Sequence, residues 1–175
     1  MKTISTFALL AALCGCSSAP KSADVAPNIR KALNAPNMKD VSVSQDRDKG
    51  VVTLTGHVAT DADRMQAESL AKSLAAGQVV SDEIAVVPPG AEKEAKTINS
   101  DVDTGIDKNV DAVLVQNGLN KDVKHAVKNG VVTLSGSVTS QAARDQAQQV
   151  AAAVPYVRQV VNELQVKDQK ATASN

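Results

Sequence analysis

The chain contains one segment twice. Residues 50–86 read GVVTLTGHVATDADRMQAESLAKSLAAGQVVSDEIAV and residues 130–166 read GVVTLSGSVTSQAARDQAQQVAAAVPYVRQVVNELQV. They align without a gap, with about 15 of roughly 37 positions identical, and such a duplication sets the architecture before any finer argument. Two modules of about 65 residues follow. A domain near 60 residues buries only about 60% of its unfolded surface, so docking of the copies would help each.

Within a copy the order of elements is legible. In Val51 to Val58 the residues Val52, Leu54 and Val58 alternate with Val51, Thr53 and Thr55, which predicts a half-buried strand. Its hairpin partner holds Val41 and Val43 in the first copy, and Val123, His125 and Val127 in the second. There Asn129-Gly130 signals a tight turn; the first copy uses a longer turn, Asp46 to Gly50. A helix follows, capped by Thr60 and closed by Gly77, with Ala67, Leu70, Ala71 and Leu74 inward. The second copy repeats this with Ser140 as cap, Ala147, Val150, Ala151 and Val154 inward, and Pro155 at the end. A last strand spans Val80 to Val86, matched by Val160 to Val166.

Ahead of each hairpin lies a short amphipathic helix, with Val25, Ile29 and Leu33 in one copy and Ile106, Val110 and Leu114 in the other. The fold class is therefore α+β: two tandem αββαβ modules, each a small three-stranded mixed sheet with two helices on one face, because the crossover is right-handed. The other sheet face is expected to be polar and wet. The expected division of the chain is a signal segment (1–15), a tether (16–24), a first module (25–87), a linker (88–100), a second module (101–167) and a disordered tail (168–175). Pro88-Pro89-Gly90 marks the boundary, and residues 91–96 are either extended linker or a helical extension of the next module.

The N-terminus has secretory grammar: Lys2, then an apolar run from Ile4 to Leu13. Spanning a bilayer takes about 20 apolar residues, so a cleaved signal fits better than an anchor. Leu13-Cys14-Gly15-Cys16 is similar to a bacterial lipobox, which implies that Cys16 becomes an acylated N-terminus. Ser17 after it favours the outer membrane, with the protein facing the periplasm.

Composition excludes several functions. Basic and acidic residues balance at 19 each, Trp is absent and Tyr156 is the one tyrosine, so neither a polyanion-binding field nor base-stacking side chains exist and no nucleic-acid partner is expected. No nucleophile–base pair or carboxylate dyad stands out, so neither catalysis, a small-molecule substrate nor a cofactor is expected. His57 reads as a solvated strand residue and His125 as half-buried. Gly56 and Gly136 read as a bulge or a close backbone approach, with a binding-surface role as the alternative. For Arg64 and Arg144 the expected partner is a carboxylate such as Glu83 or Glu163, with a surface for lipid headgroups as the functional alternative.

GVVTLTGHV and GVVTLSGSV, each followed by a helical Arg (Arg64, Arg144) and Ala (Ala67, Ala147) and then VVSDEIAV or VVNELQV, resemble the BON domain over nearly the whole mature chain, twice. The resemblance implies an envelope protein like the osmotically induced periplasmic members, or like dual-BON outer-membrane lipoproteins that contact anionic phospholipid and support membrane integrity. In lipid-binding members the first helix of the second domain meets the bilayer, which maps onto Gly105 to Leu119. That assigns Val113, Val115, Leu119 and Lys121 as membrane-contacting residues. Gly105 stands where an aromatic is expected, and Asp101, Asp103, Asp107 and Asp111 crowd the helix. The alternative is an adaptor or chaperone-like module that binds an envelope protein, by strand addition at a sheet edge or on a sheet face.

Overall fold

The computed structural model describes residues 21–167; the expected signal segment, Cys16 and the tail from residue 168 lie outside the described residues. In the first module α1 (Ala26–Ala32) leads into the hairpin β1 (Val41–Asp46) and β2 (Val51–Val58), then α2 (Asp61–Leu74), β3 (Val79–Asp82) and β4 (Ala85–Val86). The second repeats the order with α3 (Glu92–Gln116), β5 (Val123–Lys128), β6 (Val131–Val138), α4 (Gln141–Ala152), β7 (Gln159–Asn162) and β8 (Gln165–Val166). The strand order is β1-β2-β3, antiparallel then parallel, with β4 also parallel to β2; β5 to β8 copy it.

The helix-facing positions form the cores. Val52, Leu54, Val58 and Val80 pack with Ile29, Leu33, Ala67 and Ala71; Val132, Leu134 and Val138 pack with Ile106, Val110, Leu114, Ala147 and Ala151. Thr60 and Ser140 cap their helices by accepting the Asp63 and Ala143 N–H groups. One inward position differs from expectation: Leu74 is 38% exposed and Ala75 takes its place in the core. Ala75 is the C-cap of α2, and there the chain leaves the helix with the small side chain toward the core.

The expected continuous last strand is two short ones. Between β3 and β4, and again between β7 and β8, the side chains of Ile84 and Leu164 enter the core, and Asp82 and Asn162 accept the N–H two residues on. Directly opposite, Gly56 and Gly136 have φ of +105° and +121°. A Cβ on either would fall 1.9 or 2.2 Å from the Asp40 or Asp122 carbonyl oxygen, so the expected close approach is met. Asn129 and Gly130 both have positive φ, as a two-residue primed turn requires.

The segment after Pro88-Pro89-Gly90 is helical: Glu92–Gln116 is one 25-residue helix whose core contacts begin at Ile106. Its N-terminal half is an arm, fixed where Asp103 accepts the N–H groups of Asn129 (2.7 Å) and Gly130 (2.8 Å). At the other end of the chain, Ser22 exchanges backbone and side-chain hydrogen bonds with Arg47, and Gln45 and Gln78 both donate to the Ala23 carbonyl. The tether residues nearest the module are thus strapped to the β1–β2 turn.

The outer sheet faces are not wholly wet. Val51, Val131 and Val161 form a small apolar cluster of their own, and Ser81 is 1% exposed. These positions lie opposite the helix-facing ones, so part of each outer face is buried against the other module. Both copies keep a valine directly after the turn glycine, Val51 and Val131, and burying it costs less than wetting it.

Candidate functional site

Around that apolar cluster the junction is polar and pseudo-symmetric. Lys49 meets Glu163 at 2.6 Å and Lys128 meets Glu83 at 3.1 Å, each basic residue beside one module's hairpin turn reaching the glutamate between the other module's split strands. Asn129 adds a bond to the Glu83 carbonyl. The centre of the junction is Asp82, the one buried carboxylate among the described residues. Its side chain, 3% exposed, takes Arg64 at 2.5 Å from its own module and Arg158 at 3.3 Å from the other. Gln159 closes the outer edge of β3, accepting from Asp82 N–H and donating to the Val80 carbonyl.

Of the two arginines expected to meet a carboxylate, Arg64 does and Arg144 does not. Arg64 pairs with Asp82 and Asp61, and Arg144 donates to the backbone carbonyls of Asn162 and Leu164; neither meets Glu83 or Glu163. Alternation places residue 82 on the same sheet face as Val80 and Ile84, toward α2, and turns Glu83 away, so strand parity was a usable signal. Burial tends to lower the Arg64 pKa, but its bonds to Asp61 and Asp82 outweigh this and raise it. Arg158 is lowered, first by burial and then by the like charge of Arg64, against the pull of Asp82.

Lys49 titrates above the ordinary lysine value of 10.5, held there by its hydrogen bond to Glu163. A raised lysine contributes stability that is complete below the unfolded value and lost as pH rises through the folded one. The unfolding midpoint should therefore fall more steeply above about pH 10.5 in the native chain than in Lys49→Met. Parallel pH profiles of the two in thermal unfolding would show no role for this pair.

A groove of about 770 Å³ separates the first module from the α3 arm. Gly56, His57, Ala85 and Val87 form one wall; Lys96, Asn99, Asp103 and Asp107 form the other. His57 is 54% exposed with Asp40 at 4.0 Å, and His125 is half-buried with Asp107 at 3.1 Å. Both sit as expected. Among the described residues no cluster of three His, Cys, Asp or Glu can hold a metal ion, and no helix is long and apolar enough to cross a membrane.

The residues assigned to membrane contact divide. Val115 and Lys121 are exposed, Val113 is partly buried against the second core, and Leu119 is a core residue at 9% exposure. Helix α3 ends in a Schellman motif: Leu119 N–H bonds the Leu114 carbonyl, Gly118 N–H bonds that of Val115, and Gly118 has φ of +68°. That turn folds Leu119 back onto Leu114, so it is no membrane tip. The sequence Asn117-Gly118-Leu119 carried this signal. Elsewhere on α3, Ile98 and Val102 are 60% and 39% exposed. Val102 shares a hollow of about 400 Å³ with Tyr156, itself 81% exposed and at φ +67°.

The BON domain family matches this chain at residues 21–88 and again at 102–168. Osmotically-inducible protein Y of Escherichia coli (strain K12) is 35% identical over 133 residues, which cover 75% of this chain and 65% of that protein. The chain therefore spans just under two thirds of that relative's length. Among solved structures, the C-terminal domain of CdsD, the structural protein of the type III secretion system of Chlamydia trachomatis, superimposes with a TM-score of 0.35 at 16% identity, covering 82% of this chain and 66% of that one. A second structure of CdsD gives the same score and identity and is covered to 62%.

Proposed function

The chain belongs to the BON-domain family, and on that premise we propose that it is a non-enzymatic envelope protein of osmotic stress, lipid-anchored through Cys16 at the outer membrane and facing the periplasm, whose second module touches the anionic membrane surface. Similarity to an osmotically-inducible relative supports the setting.

The observation that carries membrane contact is the exposed apolar group Ile98, Val102 and Tyr156, with Lys93 and Lys96 on the same arm. It supplies the aromatic that the beginning of the expected helix lacks, since Tyr156 comes alongside α3 from the far side of the module. Tyrosine is favoured at membrane interfaces, and lysines add attraction to anionic lipid. Of the six acids on α3, Asp103 holds a turn and Asp107 faces His125, while Glu92 and Glu94 flank Lys93. From an acylated Cys16 to Lys21 the chain reaches at most about 17 Å, so the strapped β1–β2 turn would stay near the bilayer.

The test is co-sedimentation of the unacylated chain from residue 17 with anionic and neutral phospholipid vesicles. Binding should favour anionic vesicles and weaken with salt. A large apolar side chain contributes about 1.5–3 kcal/mol when buried, so Ile98→Ser with Tyr156→Ser should cost at least about tenfold in binding. Equal sedimentation of wild type and variant, or none with anionic lipid, would move the function to a protein partner.

A further inference from the structure

The sheet order leaves β3 as an outer strand, with the Val80 carbonyl and the Asp82 N–H directed away from β2. Those groups are not open. Gln159 Nε2 donates to the Val80 carbonyl at 2.6 Å and its Oε1 accepts from Asp82 N–H at 3.0 Å. A residue of an added parallel strand offers the same pair, its N–H to one carbonyl and its C=O to the N–H two residues on. One side-chain amide thus stands in for a missing strand. Beside it, Arg158 donates to both the carbonyl and the carboxylate of Asp82, and Lys128 covers Glu83. An amide, a guanidinium and an ammonium are what an extended basic peptide would bring to this edge.

We propose that the outer edge of β3 is a docking edge for an extended, basic peptide segment, and that the second module is its built-in cover. The edge belongs to the first copy alone. At the corresponding place in the second copy Asn162 replaces Asp82, and Val79, which has no side-chain amide, stands where Gln159 would be needed. The cover is of a kind that can release. Its apolar contact is three valines, its flanking ion pairs use lysines 43% and 57% exposed and so are screened by salt, and the modules are joined through the exposed Pro88-Pro89-Gly90. Strand addition takes its affinity from main-chain hydrogen bonds, and the acidic pair Asp82 and Glu83 would select the charge of the strand. Arg158 also borders the hollow of Val102 and Tyr156, but Val80, Asp82 and Gln159 do not, and a peptide bound at them needs no membrane contact.

The experiment uses the chain from residue 17 and two fluorescent hexapeptides, one alternating as Arg-Val-Thr-Val-Arg-Val and one with Glu for Arg, read by anisotropy. Uncovering the edge with Arg158→Ala and Gln159→Ala together should strengthen binding of the basic peptide by about tenfold or more over wild type and leave the acidic peptide unbound. Amide hydrogen exchange at Val80 and Asp82 should slow when the basic peptide is added. Should the double variant fail to fold, Lys49→Ala with Lys128→Ala loosens only the partly exposed pairs and should give a smaller gain of the same sign. If no folded variant gains affinity, if both peptides bind alike, or if exchange at Asp82 ignores the bound peptide, the edge is not a docking site.

Discussion

Gly56→Ala and Gly136→Ala should each destabilise their module more than any other single methyl group added to the chain. The added Cβ would sit 1.9 Å from the Asp40 carbonyl oxygen in one case and 2.2 Å from that of Asp122 in the other. Those oxygens are backbone, at the entry to β1 and β5, and cannot swing aside as a side chain could. The backbone φ of +105° and +121° adds strain of about 1–3 kcal/mol for any residue with a Cβ. Overpacking contributes about 1–3 kcal/mol more. The sum is comparable to the whole stability of a small domain. Gly77→Ala is the internal control: it shares a positive φ of +80° but nothing lies within 4 Å of its added Cβ. Thermal unfolding should show Gly56→Ala and Gly136→Ala well below Gly77→Ala, at about 4–8 °C for each kcal/mol. If all three unfold together, the close approach is not what the glycines serve.

The second large effect is at Asp82. Replacing it with Ala removes the buried counter-charge of Arg64, 15% exposed and left with only the exposed Asp61, and that of Arg158, so that the two arginines face each other. Breaking a buried pair by deleting one partner costs about 3–5 kcal/mol; the Arg158 share is smaller because solvent already screens that side chain. Asp82→Asn should cost distinctly less, and the duplication gives the reason. Asn162 occupies the matching position, its Oδ1 accepts the Leu164 N–H at 3.2 Å as Asp82 Oδ1 accepts that of Ile84, and Arg144 turns to backbone carbonyls. An asparagine is thus compatible with the module, and the loss falls on the junction. Chemical denaturation should place Asp82→Asn between wild type and Asp82→Ala. Equal midpoints for the two variants would mean that the charge on residue 82 is irrelevant and only its strand-breaking hydrogen bond counts.

The residues that were misplaced from sequence share a physical cause. Leu119 falls outside the helical period of α3, but Gly118 in a left-handed conformation folds the chain back and returns it to the core. Glu83 and Glu163 look like natural partners for arginines on the neighbouring helix. The pleat turns them to the opposite face, where lysines of the other module are in reach. In both cases the local signal was present, in a turn residue and in strand parity.

The amino-acid sequence by itself determined the duplicated αββαβ plan, the two cores, the helix caps, the hairpin turn at Asn129-Gly130 and the need for Gly56 and Gly136. The glycines are marked by recurring at the same place in a duplicated strand, and the rest depend on contacts within a few residues or on a repeating face, where period and side-chain type suffice. Tertiary structure alone decided that the outer sheet faces meet through Val51, Val131 and Val161, that Asp82 is shared by arginines of both modules, and that Tyr156 lies beside Val102. Those pairings join residues separated by tens of positions and depend on how one rigid module is set against another, a geometry to which no local periodicity responds.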